Sequence, residues 1–246
     1  MVGKALALLT RLGDFPDGAP AAELARQVGF PLSTAHRLLG GLVRDGFASF
    51  EPESKRYHLG LRVFQLAQQV LQARGLTGLA KPVLEEVSSV TREATLLAVR
   101  DGDRQLYLYS FEGPQQVRVV GEPGKHGPLH CTSQGKVLVA FAEPSAREYL
   151  IENLPLPPAG PKAITSRRGF RQEIEEVRQR GWSLVDEEHE AGIRAISVPV
   201  MGHDGIAVAA LATAAPAFRM SVDEVVAHLP TLTEAAKALS VLMSLQ

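Results

Sequence analysis

Apolar residues recur every three to four positions over residues 2–12, about 20–28 and about 31–44, which predicts three short helices. Gly13, Gly29 and the pair Asp45-Gly46 follow these segments, where glycine commonly ends a helix. Residues 47–50 and 56–59 are short strand-like runs around a polar turn at 51–55, and they predict a β-hairpin. Three helices and a hairpin within about 60 residues is the order of elements in a winged helix-turn-helix.

The rest of the chain mixes helical and strand-like patterns. Helical periodicity predicts helices over residues 60–73, about 77–90, 133–141, 168–180 and 222–245, whereas strand-like runs occupy 95–99, 105–109, 182–185, 193–201 and 206–213. Strands interleaved with helices predict a mixed domain around a central sheet. The expected fold class is therefore α+β with two domains: a winged helix-turn-helix at 1–60, a linker helix at 61–75 and a second domain at 76–246.

Composition and charge narrow the class of protein. No apolar run reaches the ~18 residues that a membrane-spanning helix needs, and the N-terminus lacks the pattern of a signal peptide. Cys131 is the single cysteine, so no intrachain disulfide can form, and we expect a cytoplasmic protein with no membrane partner. The net charge is −1, but residues 1–75 carry nine Lys and Arg against six Asp and Glu. A modest basic excess thus lies in the part predicted to meet DNA phosphates.

Candidate DNA-contacting side chains lie near the start of the third predicted helix. Ser33, Thr34, His36 and Arg37 fall on the side opposite the apolar positions that begin at Ala35. Short hydroxyls, an imidazole and a guanidinium at this place can reach base edges or phosphates of double-stranded operator DNA.

Lys55 and Arg56 lie at the tip of the predicted hairpin, where a wing would follow the DNA backbone or the minor groove. The alternatives are an ordinary solvated loop and, for the whole segment, a helical module that binds another protein. Steep salt dependence of DNA binding separates these alternatives, because only phosphate contacts release counterions.

The chain resembles the IclR family of bacterial transcriptional regulators over nearly its whole length. The residues that carry the resemblance are Ala22-Glu-Leu-Ala25, Val28-Gly-Phe-Pro31, Ser33-Thr-Ala35, Arg37-Leu-Leu39, Leu42, Gly46 and Tyr57-His-Leu-Gly60, then Gly124, Pro128-Leu-His130, Thr132, Gly135-Lys136 and Ala140, and finally Gly181, Asp186-Glu-Glu188, Gly192, Ile196, Pro199-Val200, Gly205, Ala209-Ala210 and Pro216. The resemblance implies a GAF-like C-terminal domain around a central antiparallel sheet, with a pocket for a small-molecule effector. It also implies a regulator without catalytic residues, metal or cofactor, assembled as a homodimer or as a dimer of dimers.

One edge of the implied pocket has a physical basis in the sequence. The segment Thr132-Ser133-Gln134 is typical of the start of a helix, with Thr132 or Ser133 as N-cap. The free N–H groups of Ser133 and Gln134 and the positive end of the helix dipole favour a carboxylate there. The alternative is that the cap only satisfies its own helix. Asp186 is the acidic residue that the resemblance adds to this pocket.

The other edge departs from the family pattern. Relatives that bind small oxo-acids have a cysteine where this chain has Ala195, and serines where it has Ala212 and Ala214. Alternate residues of a strand share a face, so Ala212 and Ala214 fall on the same wall. A wall of methyl groups cannot orient a small polar acid and accepts apolar surface instead. We therefore expect a larger, less polar effector, aromatic or fatty, the alternative being a pocket that has lost its ligand.

An enzyme with an appended helical domain is the competing class of function. Asp186-Glu-Glu-His-Glu190 has metal-compatible side chains, but such an acidic run is usually a solvated surface, and the spacing of the His and Cys residues is not that of a structural zinc site. His130 and Cys131 could form a nucleophile pair, yet neighbours in sequence need not face each other. The expected role of Cys131 is that of a small buried apolar residue.

Overall fold

The computed structural model describes residues 1–73 and 80–244. Contacts group the chain into two compact units, residues 1–74 and 75–246. The protein is α+β, with a helix-turn-helix in the first unit and a curled antiparallel sheet in the second. This is the predicted fold class. None of the described helices combines the length and the apolar character needed to cross a membrane.

The first unit begins with three helices and a hairpin. Its helices are α1 (Val2–Leu12), α2 (Ala21–Val28), α3 (Leu32–Arg44) and α4 (Leu61–Ala73), and its strands are β1 (Ala48–Glu51) and β2 (Arg56–Leu59), paired antiparallel. The side chains that face inward from α1, α2 and α3 form one core, centred on Leu8, Leu24 and Leu39, each fully buried. Tyr57 joins this core from β2 and exchanges two backbone hydrogen bonds with Ala19, each 2.9 Å long. The hairpin is thereby fixed to the helices.

The second unit is built around one six-stranded sheet. Its strands are β3 (Ala94–Asp101), β4 (Arg104–Phe111), β5 (His126–Pro128), β6 (Ser183–Asp186), β7 (Ile193–Met201) and β8 (Ala207–Pro216), in the spatial order β5-β4-β3-β8-β7-β6. All five strand pairings are antiparallel. Residues of both parities are buried along most of β8, which shows that helices cover both faces of the sheet.

Six helices of the described part of the chain surround this sheet. They are α5 (Ala80–Thr91), α6 (Ser133–Ala140), α7 (Pro144–Asn153), α8 (Arg167–Arg180), α9 (Val222–Ala227) and α10 (Leu229–Ser244). Helices α5 and α10 pack against each other and against β3 and β7, whereas α6 packs with α8 and against β7 and β8. Every residue of α6 is buried, so this short helix is a central element rather than a surface one.

The structure corrects the predicted elements in three places. The single helix predicted over 222–245 is two helices, because Pro230, near the start of α10, has no N–H to continue the hydrogen bonding of α9. Helix α7 was not predicted, since only Leu150 and Ile151 of its ten residues are buried and no apolar stripe marks it. Strand β5 is three residues long and too short to leave a pattern. The helix predicted from residue 77 is observed from Ala80, and 77–79 lie outside the described residues.

Candidate functional site

The turn between α2 and α3 sets the position of the third helix. Gly29 ends α2 in the left-handed conformation with φ of 70°, which glycine adopts without strain. Helix α3 then buries Ala35 and Leu39 against the core and turns its opposite side to solvent. A glycine-containing turn followed by a helix with one free face is the geometry of a recognition helix.

Four predicted DNA-contacting residues occupy that free side of α3. Ser33, His36 and Arg37 are exposed, and Thr34 is half-buried. Within the described residues, Arg37 has one side-chain partner, the sulfur of Met1 at 3.7 Å, which is a weak acceptor. The Arg37 guanidinium therefore keeps most of its donors for a base edge or a phosphate.

The two basic residues predicted at the wing differ in their surroundings. Lys55 is exposed in the turn, with φ of 55°. Arg56 begins β2 and donates a 2.7 Å hydrogen bond from Nη1 to the carbonyl of Gly18. The Arg56 guanidinium thus also ties the hairpin to the turn before α2. Glu51 and Glu53 flank the same turn, so the wing has no net excess of positive charge.

A cavity of about 880 Å³ opens in the second unit, on the face of the sheet that α6 covers. Strands β3, β7 and β8 form its floor through Leu96, Ala195, Ala212 and Ala214, and the N-terminus of α6 forms one end. The segment 117–122 and the loop 189–192 contribute two further sides. The volume is that of a typical site for a small molecule.

The α6 end of the cavity is polar. Thr132 is the N-cap, and its Oγ1 accepts a hydrogen bond from the backbone N–H of Gly135 at 3.1 Å. Thr132, Ser133 and Gln134 all line the cavity, as a site for an anion requires. The Gln134 side chain has no free donor for an anion, because its Nε2 donates to the backbone carbonyls of Leu96 and Ala210. Only the backbone of Gln134 can donate to such a ligand.

One row of the cavity floor is flat because alanines pair there across neighbouring strands. Ala195 lies opposite Ala214 between β7 and β8, and Ala214 lies opposite Ala94 between β8 and β3. These three positions form one row across three strands, about 10 Å wide at the usual strand spacing. No side chain of the row rises higher than a methyl group. Ala212 lies two residues before Ala214 on β8. The three alanines predicted from the sequence, Ala195, Ala212 and Ala214, all line the same cavity wall.

Asp186 is the one predicted effector residue that the structure places away from the cavity lining. Its carboxylate lies between Lys162 and Arg194, each 2.5 Å away. The hydrogen bond from Lys162 and that from Arg194 lower the pKa of Asp186. The carboxylate is thereby occupied in fixing the end of β6. A side chain with two cationic partners cannot also serve as a free group of the pocket.

One carboxylate of the acidic run 186–190 is buried and not solvated as the composition of the run indicates. Glu188 is buried and accepts a 2.6 Å hydrogen bond from Nζ of Lys136, a lysine with no exposed surface at all. Glu173 of α8 lies 3.3 Å from the same ammonium group. Burial raises the pKa of Glu188 against the influence of Lys136. This ion pair joins α6 to the loop that closes the cavity, and the sequence pattern did not reveal it.

The sequence analysis did not predict several of the residues that line the cavity. Tyr107 reaches the cavity from β4, Val119 from the segment 117–122 and Phe218 from the turn after β8. Strand alternation alone does not identify Tyr107, because Tyr109 has the same parity on β4 and does not line the cavity. The other two lie outside regular elements, where no periodicity indicates which side chain faces inward.

The geometry does not support the enzymatic alternatives, which were a nucleophile pair of His130 and Cys131 and a metal site. The ring of His130 pairs with the carbonyl of Pro157 at 3.0 Å, not with Cys131. Burial raises the pKa of Cys131 to about 12, so its thiol stays protonated at neutral pH and is a poor nucleophile. Among the described residues, no cluster of three or more His, Cys, Asp or Glu side chains is arranged to hold a metal ion.

Comparisons with known proteins agree with both units. Residues 1–52 match the model of the IclR helix-turn-helix domain, and residues 68–241 match that of the bacterial transcriptional regulator IclR C-terminal domain. The chain is 32% identical over 215 residues to the probable transcriptional regulator SauR of Cupriavidus necator, covering 87% of this chain and 85% of that protein.

Solved structures of similar proteins share the whole architecture. The IclR protein of Thermotoga maritima is 26% identical, with a TM-score of 0.80 and coverage of 98% of both chains. An IclR homologue from Microbacterium hydrocarbonoxydans, solved in complex with 4-hydroxybenzoate, is 28% identical, with a TM-score of 0.83 over 97% of this chain and 98% of that one. The protein therefore belongs to the IclR family of bacterial transcriptional regulators, which bind DNA and are not enzymes.

Proposed function

We propose that an organic acid, bound in the cavity of the second unit, modulates the binding of this regulator to its operator DNA. The observation that carries the proposal is the polar end of the cavity. There Ser133 and Gln134, in the first turn of the capped helix α6, line a space of about 880 Å³. Backbone N–H groups and the positive end of the helix dipole favour a carboxylate over a neutral group.

The alanine floor favours an acid with an apolar body. Ala195, Ala212 and Ala214 offer no hydrogen bond to orient a small oxo-acid, and Leu96 adds further apolar surface beside them. The similar structure from Microbacterium hydrocarbonoxydans contains 4-hydroxybenzoate, an aromatic acid. Residue chemistry and this relative both support an aromatic or fatty acid as the effector of the present protein.

The DNA interface that we propose consists of two parts of the first unit. Ser33, Thr34, His36 and Arg37 of α3 would enter the major groove, where a recognition helix contacts base edges. Lys55 and Arg56 of the wing would meet the DNA backbone or the minor groove. Because Arg56 also binds Gly18, we assign the larger share of the wing's phosphate contact to Lys55.

Assembly as a homodimer, or as a dimer of dimers, completes the proposal. Operators of helix-turn-helix proteins usually mirror a two-fold axis of the protein, so a single recognition helix rarely acts alone. We assign pairing to a linker helix within residues 61–75, since Leu61 and Phe64 of α4 expose most of their apolar surface. The place of action is the cytoplasm, where a bacterial regulator meets its operator.

A gel-shift experiment tests this proposal. The probe is the DNA upstream of the protein's own gene, with random DNA of equal length as control, each at several salt concentrations. We expect specific retention that falls steeply with salt, because phosphate contacts release counterions. A panel of aromatic, fatty and oxo-acids is then added at millimolar concentration. A shift that no acid alters would contradict the proposed effector class and leave the DNA-binding function intact.

A further inference from the structure

A chain of buried polar groups leads from the cap of α6 to a phenol on the cavity wall. Gln105 of β4 is fully buried. Its Nε2 donates to the hydroxyl of Tyr107 at 2.8 Å, and its Oε1 lies 3.3 Å from Oγ1 of Thr132, whose single proton goes to the Pro128 carbonyl at 2.7 Å. Thr132 and Tyr107 both line the cavity. Gln105 thus holds the Tyr107 hydroxyl at the polar end of the cavity, beside the N-cap Thr132.

The direction of these bonds leaves the phenol with a proton to donate. A tyrosine hydroxyl has one proton, and here its oxygen already accepts a bond from the Gln105 amide. Within residues 1–73 and 80–244, no protein group accepts the proton of Tyr107. Burial raises the pKa of Tyr107, so the phenol keeps that proton at neutral pH. A donor on a cavity wall selects for a ligand with an acceptor at that point.

We propose that the Tyr107 hydroxyl is a specificity-determining donor, which binds a carboxylate oxygen of a planar aromatic monocarboxylate. The acid group would lie between Tyr107 and the N-terminus of α6, and the ring would lie on the flat row of Ala195 and Ala214. Gln105 is then a positioning residue, because it acts through Tyr107 and does not line the cavity. This inference rests on the proposed function and names the effector class and the residue that selects it.

Calorimetric titration with benzoate and 4-hydroxybenzoate tests the inference on the full-length protein. Tyr107→Phe removes only the hydroxyl, so we expect the Kd of both acids to rise by about 10- to 100-fold, as for a hydrogen bond to a charged group. Tyr109→Phe is the matched control, since a register shift opposite Leu97 and Ala98 interrupts the strand alternation between Tyr107 and Tyr109, and Tyr109 is not a cavity-lining residue. We expect that control to bind both acids as the wild type does.

A second variant separates positioning from general damage to the fold. Gln105→Met should weaken benzoate binding in the wild-type background and have little further effect in the Tyr107→Phe background, because its effect passes through the phenol. Equal, additive losses in both backgrounds would contradict a positioning role. Thermal unfolding of each variant shows whether the fold is retained.

The remaining outcomes are also decisive. Loss of affinity for 4-hydroxybenzoate alone would show that Tyr107 binds a ring substituent, and would overturn the carboxylate assignment. Unchanged affinity of Tyr107→Phe for both acids would overturn the inference while leaving the effector proposal in place. Failure of the wild type to bind either acid at millimolar concentration would contradict the aromatic effector class itself.

Discussion

Single residues in the two units show two opposite uses of a basic side chain. Arg37 is exposed on the free side of α3, with the sulfur of Met1 as its side-chain partner. Lys136 has no exposed surface and lies against Glu188 and Glu173. An exposed guanidinium is available to another molecule, whereas a buried ammonium group is bound within its own fold. Substitution should therefore affect binding in the first case and stability in the second.

Replacing Arg37 with Ala should weaken operator binding by about 1–3 kcal/mol if the guanidinium contacts a base in bidentate geometry. A phosphate contact would instead weaken specific and random DNA alike. Fluorescence anisotropy with operator and random duplexes distinguishes the two. Arg178→Ala is the control, because Arg178 is an exposed arginine of α8, in the other unit. If Arg37→Ala changes neither affinity, Arg37 does not contact DNA.

Replacing Lys136 with Met should destabilise the second unit by about 3–5 kcal/mol at pH 7, since a buried carboxylate at Glu188 loses its cation. Burial already raises the pKa of Glu188, and the loss of Lys136 would raise it further. Because the carboxyl group then binds its proton more tightly in the folded state, its contribution to the free energy of unfolding is fully present below the unfolded pKa of 4.5. That contribution is lost as the pH rises through the raised folded value. The deficit of the variant should therefore be smaller at pH 5 than at pH 7.5.

Urea unfolding, followed by the fluorescence of the single tryptophan Trp182, measures this effect in the second unit. Lys237→Met is the matched control, because Lys237 forms an ion pair with Glu234 in which both side chains are about 70% exposed. Exposed pairs contribute at most about 1 kcal/mol. Equal losses in the two variants would mean that burial of Lys136 has no energetic consequence.

At the scale of elements, β8 presents a different surface on each of its sides. Ala212 and Ala214 face the cavity, whereas Ala209 and Ala215 lie on the alternate, opposite positions and are fully buried. The same substitution can therefore be placed on either face of one strand. This arrangement separates an effect on the ligand from an effect on the packing of the strand.

Changing both Ala212 and Ala214 to Ser should shift preference toward small hydroxy- or oxo-acids. Each new hydrogen bond contributes about 0.5–1.5 kcal/mol, and a hydroxyl without a partner would instead lower stability. Titration with pyruvate and benzoate compares this variant with Ala209→Ser/Ala215→Ser, which should lose stability without changing its ligand preference. Tight binding of pyruvate by the wild type would show that the alanine floor does not exclude small acids.

At the scale of the whole molecule, α4 carries apolar side chains that its own unit does not bury. Leu61 is 81% exposed and Phe64 is 61% exposed. Phe64→Glu should convert the expected homodimer into a monomer at micromolar concentration, because a charge would replace the apolar contact. Light scattering after gel filtration gives the mass. Gln65→Glu adds the same charge at a polar position and should remain dimeric; a monomeric wild type that still binds its operator would contradict pairing.

The sequence by itself determined the elements whose pattern is local. The helix-turn-helix follows from helical spacing and from Gly29, because a left-handed turn residue and an apolar face are properties of short segments. The cap at Thr132 and the alanines of the cavity floor follow from helix-start chemistry and strand alternation together with the resemblance to the family. Helix α7 and strand β5 were missed, since neither has a periodic apolar face.

Only the tertiary structure decided which distant residues meet. Lys136 and Glu188 are 52 positions apart, and nothing in the acidic run after β6 shows that one of its carboxylates is buried while Asp186 is bound by Lys162. The position of Gln105 between Thr132 and Tyr107 likewise depends on β4 and the start of α6 lying side by side. Local propensity acts over a few residues, whereas burial and pairing depend on the packing of elements far apart in sequence.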